Sequence, residues 1–222
     1  MKDNIAAFPS REYDKKIKET LPFYDTFYEQ IIELVKVYHS HQLEWLDVGC
    51  GTGKMAAAAY ENLKIRRFTF CDSSSDMLKI AQDRFAYSNA EFSLCDVRKM
   101  TYSNEFDVVT AVQVNHYFQK EERKIALQKC YEALKEKGLF ITFENFAPFS
   151  DLGKEIYLNK WKTYQMKQGK SPEECNRHVE RYGKEYFPIT VTEHMELMRE
   201  CGFRTVEILW LSNMQVGIWG VK

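Results

Sequence analysis

The chain has 222 residues, of which 45% are apolar and 28% charged, and its formal net charge is −1. That length suits one large α/β domain, or one domain with an insert, over residues 1–222. The balanced charge gives no global basic field to recruit nucleic acid or an anionic membrane. No apolar run approaches the roughly 20 residues of a membrane span. The opening Met1-Lys2-Asp3-Asn4 has no apolar leader. Six scattered cysteines, none spaced C-x-x-C, are expected to be buried thiols of a cytoplasmic protein, with no metal.

Residues 1–11 read as a loose tail, and residues 1–40 as an N-terminal helical cap. Within it Phe27, Ile31, Leu34, Val35 and Tyr38 recur at helical spacing after Pro22. Strands and helices then alternate. A strand at 43–48 is followed by an Ala-rich helix from Lys54 to Leu63. A second strand, Arg66 to Cys71, leads into Asp72-Ser73-Ser74-Ser75, a run of helix caps. A third strand covers Ala90 to Cys95, and a fourth Phe106 to Val112. A helix from Lys120 to about Lys135 precedes a fifth strand, Leu139 to Phe143. This rhythm predicts an α/β, doubly wound, mostly parallel sheet of Rossmann-like type. It breaks at Asn145-Phe146-Ala147-Pro148. Residues 149–187 then predict two helices split near Gly169, an insert over the carboxyl ends of the strands. A helix from Thr190 to Cys201 and two β-branched runs, Val206–Trp210 and Gln215–Val221, close the chain, the runs as a C-terminal hairpin.

The chemistry is concentrated at Leu46-Asp47-Val48-Gly49-Cys50-Gly51-Thr52-Gly53. A strand runs into a glycine turn that opens a helix, so backbone can approach a ligand and free N–H groups face it. A pyrophosphate site wants a third glycine where Lys54 stands, and Asp47 would repel a pyrophosphate. Asp47 suits a cationic ligand instead, an ammonium group or a sulfonium-bearing amino acid. Asp72 ends the second strand, where a carboxylate can accept two ribose hydroxyls; a plain cap of the next helix is the alternative, and the two roles are compatible. Asp96, directly after the third strand, could reach an adenine amino group.

Taken in order, these motifs resemble a class I S-adenosylmethionine-dependent methyltransferase of the small bacterial-type domain family, through most of residues 40–145. The resemblance implies a methyltransferase that takes S-adenosylmethionine and releases S-adenosylhomocysteine. Its first motif is the glycine turn, implying contacts from Asp47, Gly49, Cys50, Gly51 and Gly53. Cys71-Asp72-Ser73-Ser74-Ser75-Asp76-Met77-Leu78 is similar to the second, implying Asp72 and Ser73 at the ribose and Met77 near the adenosine. Cys95-Asp96-Val97 is similar to the adenine-binding third. Phe106 through Phe118 resembles the region beneath the sulfonium, implying Gln113 and Asn115 as cofactor contacts. Tyr13-Asp14 matches an N-terminal pair whose tyrosine closes over the methionine end. Glu136-Lys137-Gly138 departs from the family's Pro-Gly-Gly at a turn remote from the site.

His116 is the candidate base, or else stacks on the cofactor or caps the next helix. Glu144 could meet substrate or cap a loop. Tyr157, Trp161, Tyr164 and Arg181 are the candidate substrate contacts of the insert, read as a lid; aromatics at helical spacing are also ordinary core. The leading expectation is methyl transfer to a small-molecule acceptor. Loose similarity of the C-terminal region to carboxy-S-adenosylmethionine synthase keeps tRNA wobble-base metabolism open, as does a non-catalytic cofactor-binding protein. Residues 151–184 carry eight Lys or Arg against five Asp or Glu, a mild bias for nucleic acid. A homodimer is an open expectation.

Overall fold

A computed structural model describes Asn4, residues 6–87 and residues 89–222. The start of the expected N-terminal tail, residues 1–3, and its leader reading lie outside the described residues. Seven strands form one mixed, mostly parallel sheet in the order β3-β2-β1-β4-β5-β7-β6. They are β1 (Leu43–Val48), β2 (Ile65–Asp72), β3 (Ala90–Leu94), β4 (Phe106–Val112), β5 (Leu134–Asn145), β6 (Thr205–Ser212) and β7 (Gln215–Val221). β7 runs antiparallel to both β5 and β6, which makes β6–β7 the hairpin. The helices are α1 (Tyr13–Lys18), α2 (Tyr24–Tyr38), α3 (Lys54–Asn62), α4 (Ser75–Arg84), α5 (Lys120–Ala133), α6 (Asp151–Lys167), α7 (Pro172–Val179) and α8 (Val191–Glu200). Among the described residues no helix is long and apolar enough to cross a membrane.

Local chemistry explains the helix starts. Ser74 caps α4 through Met77 N at 3.2 Å, and Ser150 caps α6 through Gly153 N at 3.1 Å. Ser171 with Glu174, and Thr190 with Glu193, form capping boxes at α7 and α8. Two expectations need correction. The fifth strand begins at Leu134, because Leu134 already pairs with Phe106 before a register irregularity; Lys137, at φ 62°, takes up the bend. The expected tail turns helical by Ser10, with a 3-10 turn over Ser10–Glu12 running into α1.

Alternation along β1 sorts the core into two layers. Leu43 and Trp45 face one side, with Phe27, Ile31 and Val35 of α2 and Ala56 and Ala59 of α3. Leu46 and Val48 face the other, with Ala126, Leu127 and Cys130 of α5 and Leu197 and Met198 of α8. Gly217 faces Phe143 in the β5–β7 register. A Cβ on Gly217 would lie 2.3 Å from the Phe143 ring, which stacks on Phe27 at 4.9 Å. Gly217→Ala is therefore expected to lower stability by about 1–3 kcal/mol through overpacking. The urea midpoint measures it, and an unshifted midpoint would show that the ring can swing aside.

Candidate functional site

The chain moves outward from β1 to β2 and β3, then returns to place β4 on β1's other side. This reversal opens a crevice at the carboxyl ends of β1 and β4, the place where open α/β sheets bind ligands. A cleft of about 320 Å³ lies there. Gly49, Gly51, Asp72, Ser73 and Met77 line it, as do Asp96, Val97, Gln113 and Tyr13.

The turn needs its glycines. Gly49, Gly51 and Gly53 have φ of 63°, 53° and 87°. A Cβ would lie 2.4 Å from Val114 at Gly49 and 2.6 Å from Phe85 at Gly53, whereas at Gly51 it would meet nothing within 4 Å. Gly51 thus presents bare backbone to open cleft. Its N–H donates to Asp72 Oδ2 at 2.8 Å, and Ser74 N–H donates to Asp72 Oδ1 at 2.8 Å. Burial raises the Asp72 pKa, opposed by these backbone donors. Each oxygen holds a backbone donor and, with two lone pairs, keeps acceptor capacity for a ligand hydroxyl.

Asp47 lies in a recess beside the turn that Cys50, Tyr13 and Lys54 also line. Thr110 Oγ1 donates to its carboxylate at 2.7 Å and accepts from Trp45 Nε1 at 2.9 Å. Burial pushes the Asp47 carboxyl up to about 7; the Thr110 bond pulls it down and the Asp72 charge raises it. Gly53 and Cys50 support the turn without lining the main cleft: Gly53 N bonds Cys50 O at 2.9 Å, and Cys50 N bonds Cys71 O at 3.1 Å. At the far end Asp96 is not free. Arg98 Nε lies 3.0 and 3.1 Å from its two oxygens, and Arg98 also pairs with Glu122 and sits 5.0 Å over the Phe118 ring. Arg98, a cleft residue that sequence reasoning missed, shares the acid that the adenine end would use.

The segment after β4 departs most from expectation. Gln113 takes φ 60°, turning its side chain to the cleft. Its amide closes a ring with Gln215 (3.1 Å) and Asn145 (3.4 Å), and Gln215 donates to Asn145. Asn115 does not line the cleft. It is buried, and its amide donates to Thr142 Oγ1 at 3.3 Å. Glu144 does not reach a ligand surface either. Fully buried, it accepts from the N–H groups of Val114, Asn115 and His116 and from the Thr142 hydroxyl, and meets His116 Nδ1 at 2.5 Å. Burial would raise its pKa, but the bonds to His116 and the Asn115 N–H outweigh it and hold Glu144 below the usual range.

His116, Gln113, Tyr13 and Tyr117 also line an inner chamber of about 20 Å³ under α6 and α7. Trp161 and Arg181 face it, with Trp161 Nε1 bonded to Thr20 O. Tyr157 and Tyr164 do not. They line an outer groove of about 380 Å³ against Phe23 and the hairpin turn, and the Tyr164 hydroxyl donates to Lys18 O at 2.9 Å. Asp14 ties the cap to the site, pairing with the Thr52 hydroxyl and with Arg84 at 2.7 Å; its neighbour Tyr13 borders cleft, recess and chamber alike.

A family model described as a methyltransferase domain matches residues 46–138. Carboxy-S-adenosyl-L-methionine synthase of Campylobacter lari is 24% identical over 200 residues, 88% of this chain and 84% of that protein. Malonyl-[acyl-carrier protein] O-methyltransferase of Acetivibrio thermocellus is 28% identical over 124 residues, 55% of this chain and 43% of that protein. Among solved structures, a complex of the Haloferax volcanii Trm112 methyltransferase activator with a methyltransferase matches with TM-score 0.69 at 13% identity, covering 100% of this chain and 98% of that one. A methyltransferase of Thermotoga maritima matches with TM-score 0.60 at 21% identity, covering 96% and 97%.

Proposed function

We propose that this chain is a class I S-adenosylmethionine-dependent methyltransferase, as the methyltransferase-domain match over residues 46–138 supports, and that it methylates a small-molecule acceptor held in the inner chamber. One observation carries this reading. The chamber and the cofactor cleft share Gln113, Tyr13 and Tyr117 as a common wall, so an acceptor admitted when the chamber widens would face the transfer end without displacing the adenosine.

The open space before Gly51 and the spare acceptor capacity of Asp72 fit an adenosyl ligand. Bound there, S-adenosylmethionine supplies a methyl group on a positively charged sulfur. Asp72 would accept the ribose hydroxyls. Met77, Val97 and the Asp96–Arg98 pair would enclose the adenine. Gly49 and Asp47 would face the amino-acid end, with Tyr13 closing over it. The chain's remaining work is to orient the acceptor, exclude water and take a proton where the acceptor holds one. Glu144 holds the His116 ring through Nδ1, so Nε2 is the nitrogen that would take a proton, and His116 is among the residues that line the chamber. S-adenosylhomocysteine release with an acceptor panel tests the reading. No product with any acceptor, alongside intact cofactor binding, would favour a non-catalytic binding protein.

Asp47 gives this reading a pH signature. Its folded pKa of about 7 lies above the ordinary carboxylate range, so the fold without ligand favours the neutral acid below pH 7. A cation beside it favours the carboxylate. Cofactor affinity is therefore expected to rise with pH up to about 7 and then level off, with a proton released on binding below that pH. Calorimetry in buffers of different ionisation enthalpy measures the proton. Affinity flat from pH 5.5 to 8, roughly one and a half units below Asp47's pKa to one above, would remove Asp47 from the cation's side.

A second reading is supported by the span of similarity. The carboxy-S-adenosyl-L-methionine synthase match covers 88% of the chain, whereas the O-methyltransferase match covers 55%. On this reading the chain makes a carboxylated cofactor. Mass spectrometry of the nucleoside bound to purified protein decides: a species heavier than S-adenosylmethionine by one CO₂ supports the second reading, and unmodified cofactor supports the first.

A further inference from the structure

The inner chamber, with room for about one water, is too small for any acceptor until something moves. Its neighbour shows what. An outer pocket of about 420 Å³ shares Ala7, Phe8, His178 and Arg181 with the chamber. The partition between them is aromatic. The Phe8 ring stacks on His178 at 6.2 Å and 11°, and His178 stands edge-on to Trp161 at 4.9 Å. Phe8 belongs to the non-helical segment ahead of the Ser10–Glu12 turn. Its carbonyl accepts from Asn4 Nδ2 at 3.1 Å, a bond within that same segment.

The outer pocket is cationic. Lys16, Lys170 and Arg177 join Arg181 in its walls, against Glu19 and Glu174; Lys16 pairs with Glu12 and Arg181 with Glu185, which leaves Lys170 and Arg177 as its cations without an ion pair among the described residues. Glu174 is committed to its capping box, taking the Ser171 N–H at 2.9 Å. Arg177 makes no ion pair among the described residues and is exposed. Lys170 bonds the Thr20 hydroxyl and lies 5.0 Å above the Phe8 ring, beside the partition itself. Arg181 has a buried Nη2 without a partner.

We propose that the acceptor has an entrance of its own, this outer pocket, with Phe8 as its door, and that the acceptor carries an anionic group, carboxylate or phosphate, received by Lys170 and Arg177. The inference rests on the chamber being the acceptor site. The state of His178 supports it: burial first, then the charges of Arg181 and Lys170, push this histidine down to about 3. It stays neutral in a positive field that an anion would cancel. A separate entrance also fits the path, because the walls run from outer pocket to chamber to Gln113 without crossing the adenosyl cleft.

The test titrates the full-length protein with inorganic phosphate and, separately, with acetate at constant ionic strength, following the His178 side-chain resonances. At pH 7, where acetate and phosphate are both anionic and His178 is neutral, an anion seated in the pocket is expected to shift the His178 resonances saturably, and the anion that does so identifies the group. Arg177→Glu with Lys170→Gln is expected to abolish that response while S-adenosylhomocysteine affinity and the thermal midpoint stay unchanged. A silent His178, or a response that persists in the double variant, overturns the entrance. S-adenosylhomocysteine binding is read in the same samples: its loss in the unaltered protein would sink the methyltransferase site, whereas a silent His178 with binding intact sinks the entrance alone. In an acceptor panel, product is expected with anionic members, and Arg177→Glu should lower kcat/KM on the order of tenfold; turnover confined to neutral members overturns the charge assignment.

Discussion

Asp72→Ala is expected to weaken S-adenosylmethionine binding on the order of a hundredfold or more. The carboxylate would offer two charge-assisted hydrogen bonds to the ribose, and hydrogen bonds to charged groups contribute about 1.5–3 kcal/mol each. It does a second job that deepens the loss: Gly51 N and Ser74 N both donate to it. Without it the glycine turn and the start of α4 lose their common anchor, and the cleft walls must be reorganised by the ligand. Asp72→Asn separates the effects. The amide oxygen can still hold one backbone donor, but its nitrogen cannot accept. Titration calorimetry with S-adenosylhomocysteine reads the affinity, and circular dichroism checks the fold. An affinity within about threefold of the unaltered protein, under about 1 kcal/mol, would show that the ribose end lies elsewhere.

Glu144→Ala should be the most damaging single change to stability. The carboxylate is completely buried and gathers three backbone N–H groups, the Thr142 hydroxyl and the His116 ring. Removing it strands those donors in a site that water does not readily fill. Breaking buried charge-assisted sets of this kind costs about 3–5 kcal/mol. Urea unfolding measures the loss. A cost below about 1 kcal/mol would mean that water substitutes for the carboxylate. Glu144→Gln is expected to fold, and to shift the pH profile of turnover, because the amide no longer favours one tautomer of His116.

How much of this was legible beforehand follows from the range of each interaction. Asp47 and the glycines could be read because their meaning lies in spacing along one strand–turn–helix, and Asp72 because it ends the very next strand. The parallel strands and their order of appearance were legible for the same reason. The segment after β4 was not. A left-handed residue at Gln113 breaks the alternation by which faces are assigned, so Gln113 looks into the cleft while Asn115 turns into the interior. Partners distant in sequence were equally hidden. Asp14 meets Thr52 across 38 positions, and Gln113 meets Gln215 across 102. Of the aromatics in the insert, helical spacing could say which shared a face. It could not say that Trp161 would reach the chamber while Tyr157 and Tyr164 line a different groove.

The amide ring of Gln113, Asn145 and Gln215 bears on a hazard particular to alkylating agents. A methyl group on a cationic sulfur will react with whatever nucleophile stands before it, the protein included. Of the groups at the shared wall, Gln113 is an amide, whose nitrogen electrons are delocalised, and burial raises the pKa of Tyr13 and Tyr117 and keeps both phenols protonated. Cys50, beside the glycine turn, is buried, and burial first, then the Asp72 and Asp47 charges, raise its pKa well above the ordinary range. It therefore holds almost no thiolate, the form that attacks. A neutral amide and two protonated phenols would thus form an unreactive wall, sparing the protein from modifying itself between one acceptor and the next.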